Sequence, residues 1–186
     1  MAESFSNALK RATGIVSTTS SGAIGITTNK ITGLALDTGL VSIGDLVVNQ
    51  HYRAGAKVTN VGSGTSVTVD RDSVNTAAAT SQTINFLGAT TAYSSPSATK
   101  SVLIGGTFAN LTENNISVTV EVYDNSAVAT AHSTSLIASD IPIPTGSSFV
   151  ISEAGKTVLE AQDEVRVYCN TATGVDVNLS ILKGVS

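Results

Sequence analysis

Along most of the chain, apolar and polar residues alternate with a period of two. Val118, Val120 and Val122 alternate with Thr119, Glu121 and Tyr123, and Val165 and Val167 alternate with Arg166 and Tyr168. Val175, Val177, Leu179 and Ile181 alternate with Asp176, Asn178, Ser180 and Leu182. Successive side chains of an extended chain point to opposite faces, so each run predicts a strand with one buried and one wet face, as in antiparallel sheets. In the second half the pattern predicts strands at Ser101–Asn110, Ser117–Tyr123, Ala131–Ala138, Ser148–Ile151, Thr157–Leu159, Glu164–Cys169 and Val175–Leu182. Gly105-Gly106, Asp124-Asn125, Ala154-Gly155 and Thr173-Gly174 mark the bends and turns between them.

The first half is cut shorter. Strands are predicted at Gly14–Thr18, Lys30–Leu36, Asp45–Asn49, Lys57–Val61, Ser66–Asp70 and Thr83–Leu87, punctuated by Gly44, Gly55, Gly62 and Gly64. The run from Val61 to Val67 has the form of a hairpin, two alternating segments joined by a Gly-rich loop. One segment has the other period: Phe5, Ala8, Leu9 and Ala12 fall at helical spacing, Ser4 or Ser6 supplies a cap and Gly14 a stop. This predicts a helix over Glu3–Ala12, either a docking arm or a frayed terminus. At about two or three turns it is marginal on its own.

The pattern therefore predicts an all-β protein of antiparallel units: an N-terminal helix or arm over 1–13, a small β-module over 14–89 and a β-sandwich, jelly-roll-like, over 90–186. The stretch Thr90–Thr99, around Pro96, is a linker or an edge strand and turn. Within the second unit, Ile141-Pro142-Ile143-Pro144 stands out, because two prolines remove two backbone donors from a sheet region. Spaced by two, both missing donors point to one side of an extended chain, which predicts an edge strand with Ile141 and Ile143 facing the core.

Composition supports a folded chain and narrows its chemistry. Of 186 residues only 13% are charged and 4% aromatic, and there is no Trp, so Val, Ile, Leu and Ala must build the core. The net charge of -4, with Lys10-Arg11 the one adjacent basic pair, argues against a nucleic-acid partner. No apolar run reaches the ~18 residues of a membrane helix, and the N-terminus has no secretory pattern, so a protein made in a cytoplasm with no membrane partner is expected.

Candidate chemistry is sparse. His51 and His132 are the two histidines, with no His/Cys cluster of metal-ligand spacing around them, so no metal or cofactor is expected. Cys169, the single cysteine, alternates with Val165 and Val167 and is expected as a small core residue. Asp70-Arg71-Asp72-Ser73-Val74-Asn75 has carboxylates at calcium-loop spacing, but Asn75 and Ser81 stand where the loop needs Gly and Glu. Glu160, Asp163 and Glu164 could be paired carboxylates for acid/base work, but a glycosidase usually presents aromatic platforms and the chain has no Trp, so a solvated turn between strands is the better reading. Nothing here points to an enzyme.

Several motifs, in order, carry a resemblance. They are Thr90-Thr91-Ala92-Tyr93-Ser94-Ser95-Pro96, Ser101-Val102-Leu103-Ile104-Gly105-Gly106, Ala109-Asn110-Leu111-Thr112 followed by Ile116-Ser117-Val118-Thr119-Val120, and Ile141-Pro142-Ile143-Pro144-Thr145-Gly146-Ser147. Lys156-Thr157-Val158-Leu159-Glu160-Ala161-Gln162-Asp163 and Val175 to Leu182 complete the series. Residues 90–186 thereby resemble small β-sandwich virion proteins of tailed bacteriophages, of the marine and cyanophage type. Ile43-Gly44-Asp45-Leu46-Val47, Gly55 to Val61, Ser66 to Val69 and Ile84-Asn85-Phe86 resemble small β-modules of phage structural proteins. In that family an N-terminal strand leads quickly into the Tyr-x-x-Pro strand, which suggests that the first unit is an insertion, with Gly14–Thr18 pairing back onto the second.

The resemblance implies a virion structural protein, in first place a capsid decoration or cement protein and in second a neck, collar or tail-fibre-base protein. Its partners would be the major capsid protein or neck and tail proteins, and further copies of itself, a trimer among the options. Phe5 and Leu9, with Ile141, Pro142, Ile143 and Pro144, are the expected protein-interface residues. A carbohydrate-binding adhesion module is a third reading, and it requires exposed aromatics among Tyr52, Tyr93, Tyr123 and Tyr168.

Overall fold

The two ends of the chain pair with each other. In the computed structural model, which describes residues 3–34, 40–62, 65–125, 134–152 and 156–185, the described residues form fifteen strands and no helix. They are β1 (Ser4–Thr13), β2 (Ile15–Ile24), β3 (Lys30–Thr32), β4 (Leu46–Val48), β5 (Val58–Val61), β6 (Val67–Val69) and β7 (Ala79–Gly88). There follow β8 (Thr90–Ser94), β9 (Lys100–Asn110), β10 (Ile116–Tyr123), β11 (Thr134–Ile143) and β12 (Ser148–Ile151). The last three are β13 (Thr157–Leu159), β14 (Glu164–Cys169) and β15 (Val175–Val185).

These strands make two compact units. One joins Met1–Gly14 to Thr90–Ser186, and the other is Ile15–Ala89. In the first, one sheet runs β1-β15-β9-β12, with β13 also paired to β9, and a second runs β11-β10-β14-β8. All the pairings are antiparallel. The inward residues of β9 and β15, led by Leu103, Phe108, Leu179 and Ile181, meet Val118, Val120, Val165 and Val167 of β10 and β14 in one buried cluster. The unit is thus a β-sandwich, as the alternation predicts.

The second unit is a six-stranded sheet, β4-β7-β2-β3-β6-β5, with its own core around Ile24, Ile31, Val47, Val67, Ile84 and Phe86. Its first and last strands close it: Ile15 stands opposite Gly88. The expected hairpin is present, with Val58 to Val61 paired to Val67 to Val69, and Gly62 N–H donates to the Ser66 carbonyl. Ser63 and Gly64 of its loop lie outside the described residues, as do Ala35, Leu36, His132 and Ala154-Gly155.

Two expectations are corrected. The N-terminal helix is a strand: Ser4 to Lys10 pair with Lys183 to Val177 of β15. Phe5 and Leu9 sit four apart, which suits a helix, but Phe5, Asn7, Leu9 and Arg11 equally suit the period of a strand. A helix of this length is marginal, whereas the strand supplies backbone partners along one whole side of β15. The strand that returns to the sandwich is accordingly β1, not Gly14–Thr18, of which Ile15 to Thr18 belong to β2 and pair with β7. Gly14 lies between, at φ +126, where a Cβ would collide with the Thr171 carbonyl oxygen.

The proline segment is an edge, as its sequence predicts. β11 ends the second sheet, with Ile143 buried, Ile141 packed against the core, and Pro142 and Pro144 exposed. Ser117, opposite Pro142, turns its N–H to the Asn170 side chain and its carbonyl to the Asn170 N–H. Ser117 and Pro142 therefore form a pair that exchanges no ladder bonds, and the donorless proline nitrogen faces away from the sheet. A bulge at Ser139-Asp140, with Asp140 at φ 51 and its N–H donating to Thr119 Oγ1 at 3.0 Å, bends the same strand.

Two outcomes follow. Deleting residues 1–12 removes the ladder partner of β15 and is expected to lower the thermal midpoint of the chain. An unchanged melt would show that β1 is dispensable to the sandwich. Gly105→Ala places a Cβ 2.8 Å from the Ile151 carbonyl oxygen, a backbone atom that cannot turn aside. The expected cost is about 1–3 kcal/mol, read as a lower urea midpoint with an unchanged slope.

Candidate functional site

The wet side of the sheet containing β1 carries an apolar row among polar ones. Strand register aligns Phe5 with Leu182, Leu182 with Val102 and Val102 with Val158, an apolar row across four strands. With strands ~4.8 Å apart the row is roughly 15 Å long. Phe5 is 78% and Val158 55% exposed, and Leu182 and Val102 are half-buried. A second row runs Leu9, Asn178, Thr107 and Val150, with Leu9 68% and Val150 57% exposed. Neither row contains a charged residue. An apolar face on this scale, on a sheet whose other side is already buried, is what an interaction surface looks like.

Sequence reasoning found part of this face. Phe5 and Leu9 do share an exposed surface, presented by a strand. Ile141 to Pro144 lie in the other sheet, so the structure does not bring the six expected interface residues together. Ile143 in particular is a core residue, 1% exposed. Val102, Val158 and Leu182 were missed. Leu182 carried a signal, being an aliphatic residue in the polar phase of its strand. Val158 sits in a strand of three residues, too short for a period to show.

The outer side of the other sheet differs. The alternation predicts a wet face for Glu121, Tyr123, Arg166 and Tyr168, yet Glu121 and Tyr168 are almost wholly buried. The Tyr168 hydroxyl donates to Glu121 Oε1 at 2.9 Å. Next to them Arg166 donates from Nε to Glu164 Oε2 at 2.7 Å, and its guanidinium carbon lies 3.4 Å from the centroid of the Tyr123 ring. Thr91 also donates to Glu164 Oε2, at 3.1 Å. This is a polar network that fixes β8, β10 and β14 side by side.

The remaining candidates have structural tasks. Asp163 accepts from the Glu160 N–H at 2.9 Å and the Asn125 N–H at 3.3 Å, and burial raises its carboxyl above the usual range despite those two bonds. Glu160 pairs with Lys100 at 3.0 Å. The three carboxylates of the Glu160–Glu164 turn thus go to three different partners rather than to one site. In the Asp70 loop Arg71 occupies Asp70 at 2.7 Å, so the loop's cation is its own arginine. Burial alone would raise Asp70, but the hydrogen bonds from Arg71 and the Lys57 N–H together with their charges leave it lowered. His51 Nε2 lies 3.2 Å from Gln82 Oε1, an amide neighbour and not a metal-binding set. Among the described residues no group of three His, Cys, Asp or Glu side chains converges as a metal site. Cys169 is fully buried beside Gly174, and burial raises its thiol.

In comparisons with family models, curated proteins and solved structures, nothing matches this chain.

Tyr52 offers a pH test of the core of residues 15–89. It is 6% exposed, its hydroxyl donates to the Thr28 carbonyl at 3.2 Å, and burial, aided by the charge of Asp72, pushes its pKa up to about 12. Folding therefore favours the protonated phenol. The stability it contributes is full below pH 10, the ordinary value, and falls as pH rises towards 12. Denaturant melts across this window are expected to show that decline, and Tyr52→Phe to flatten it, at about 0.5–1.5 kcal/mol for the lost hydrogen bond. A decline unaltered by Tyr52→Phe would assign it to another group.

Proposed function

We propose that this protein is a non-enzymatic structural protein of a tailed-phage virion, a decoration or cement protein of the capsid surface, that works by docking its sandwich on neighbouring subunits. The observation that carries the docking role is the apolar row Phe5-Leu182-Val102-Val158 on the outer face of the β1-β15-β9 sheet, with Leu9 and Val150 exposed at the two ends of a mixed row. The virion setting rests on the sequence resemblance of residues 90–186. Docking would bury Phe5, Leu9, Val150 and Val158, each side chain contributing about 1.5–3 kcal/mol before the cost of association. A protein that binds the assembled shell and not its loose subunits stabilises the shell by mass action.

The neck or tail position uses the same face and is separated by copy number per particle: many copies for a capsid site, few for a neck or tail site. The carbohydrate-binding reading loses its support. Tyr52, Tyr93 and Tyr168 are buried, and Arg166 lies over one face of the Tyr123 ring, so the exposed aromatics that reading requires have little support.

The test is the double variant Val150→Lys/Val158→Lys, which changes two exposed positions away from β1. Its melt is expected to match the parent within about 0.5 kcal/mol. Its co-sedimentation with phage particles lacking the protein is expected to weaken at least about tenfold. Undiminished incorporation would remove this face from the docking role.

A further inference from the structure

The four outer edges of the sandwich are not equivalent. Unpaired edges invite pairing with another chain, and three of these are blunted. β11 carries Pro142 and a bulge. β12 and β13 divide their edge into pieces of four and three residues. β8 has five residues and a bulge against β14. β1 carries no proline and runs in unbroken register over the seven residues Ser4 to Lys10, its one register shift falling beyond them, between Lys10 and Thr13. Its residues Ser4, Phe5, Asn7, Leu9, Lys10 and Arg11 are exposed.

We infer that β1 pairs antiparallel with β1 of a second copy about a two-fold axis through Asn7, so that the two sheets become one. Side-chain matching selects this register. With Asn7 opposite the partner's Asn7, Phe5 lies opposite the partner's Leu9, and Leu9 opposite the partner's Phe5. Glu3, just before β1, and Arg11, in the irregular stretch after Lys10, then lie across from each other at both ends of the ladder, which brings opposite charges together twice. Moving the axis to Ser6 sets Leu9 against the partner's Glu3, and moving it to Ala8 sets Phe5 against the partner's Arg11. Only the Asn7 axis matches apolar to apolar and acid to base together, the pairings that stabilise directly opposed positions. Lys10, the residue type that commonly guards an edge, faces the partner's Ser4, so no like charges oppose.

The Arg11 guanidinium is free to take the new partner. Its contact with Asp176 is 3.8 Å long and its side chain is 89% exposed. Because the axis is two-fold, each interaction occurs twice and the contact closes at two copies. It also gathers Phe5 and Leu9 of both copies into one apolar cluster at the axis, continuous with the row through Leu182, Val102 and Val158 on each side. The pairing does not depend on the virion reading.

Sedimentation of the full chain is expected to show a dimer. Arg11→Glu sets two acids opposite each other at both ends and is expected to raise the dissociation constant about tenfold. The charge swap Glu3→Arg/Arg11→Glu is expected to restore the dimer. Asn7→Cys places the two thiols on the axis, at the Cα separation of directly opposed antiparallel residues, which suits a disulfide. It is expected to cross-link on mild oxidation, whereas Lys10→Cys, six residues off register, is expected not to. Cys169 is buried and does not compete. A monomer, a trimer, a swap that fails to restore the dimer, or an Asn7→Cys chain that stays reduced would each overturn the assignment. Val150→Lys/Val158→Lys leaves the dimer intact, so this pairing and the docking role fail separately.

Discussion

The ladder between β1 and β15 is the constraint on which the rest depends. It ties residues 4–13 to residues 175–183 across the length of the chain, so the sandwich is complete only when both segments are present. It also explains how the unit of residues 15–89 is accommodated. That unit pairs its own first and last residues, Ile15 with Gly88, so it leaves and re-enters its host at neighbouring points. A unit whose ends meet can be inserted without stretching the host, the same geometry that makes domain insertion common. Thr13 and Thr90 then resume the sandwich as strands of its two different sheets.

Among the described residues no strand pairs with the other side of β1. Elsewhere the sandwich treats its edges as hazards, and the devices are local and cheap: Pro142 with its nitrogen turned outward, the Asp140 bulge, two fragments in place of one strand. Their concentration on three edges makes the regularity of the fourth informative. An edge of seven regular residues with alternating Phe5, Asn7 and Leu9 would aggregate if it accepted any register. The charges near its ends discriminate, since they match in one register and clash with apolar residues in its neighbours.

How much of this was legible in the sequence follows from how far local pattern determines structure. β10, β14 and β15 were legible because their inward positions are nearly all Val, Leu or Ile. The proline edge was legible because proline chemistry is local. The N-terminal strand was not, since Phe5, Ala8, Leu9 and Ala12 satisfy a helical period and the deciding partner lies about 170 residues away in the chain. Lys30–Leu36 was drawn too long because Gly33, at φ +64, turns the chain after Thr32. Glu121 and Tyr168 followed the polar phase of their strands, yet they are buried in a network that only tertiary structure reveals. The apolar face was half-legible: its members lie on four strands, and a row across strands has no signature along any one of them.

The charged groups of the candidate clusters have structural partners. Catalysis needs a group whose protonation is poised and whose partners leave a reacting atom within reach. Here Asp163 caps backbone N–H groups, Glu160 pairs with Lys100, Glu164 with Arg166, and Asp70 with Arg71. Each of these charges is committed to holding a turn or a strand. Phe5, Leu9, Val150 and Val158, by contrast, stand exposed on one sheet. A rigid face loses little conformational entropy when it docks, which favours binding per unit area. Joining two such faces across β1 would present them at a fixed spacing, so that the second contact with a symmetric neighbour follows the first at high effective concentration.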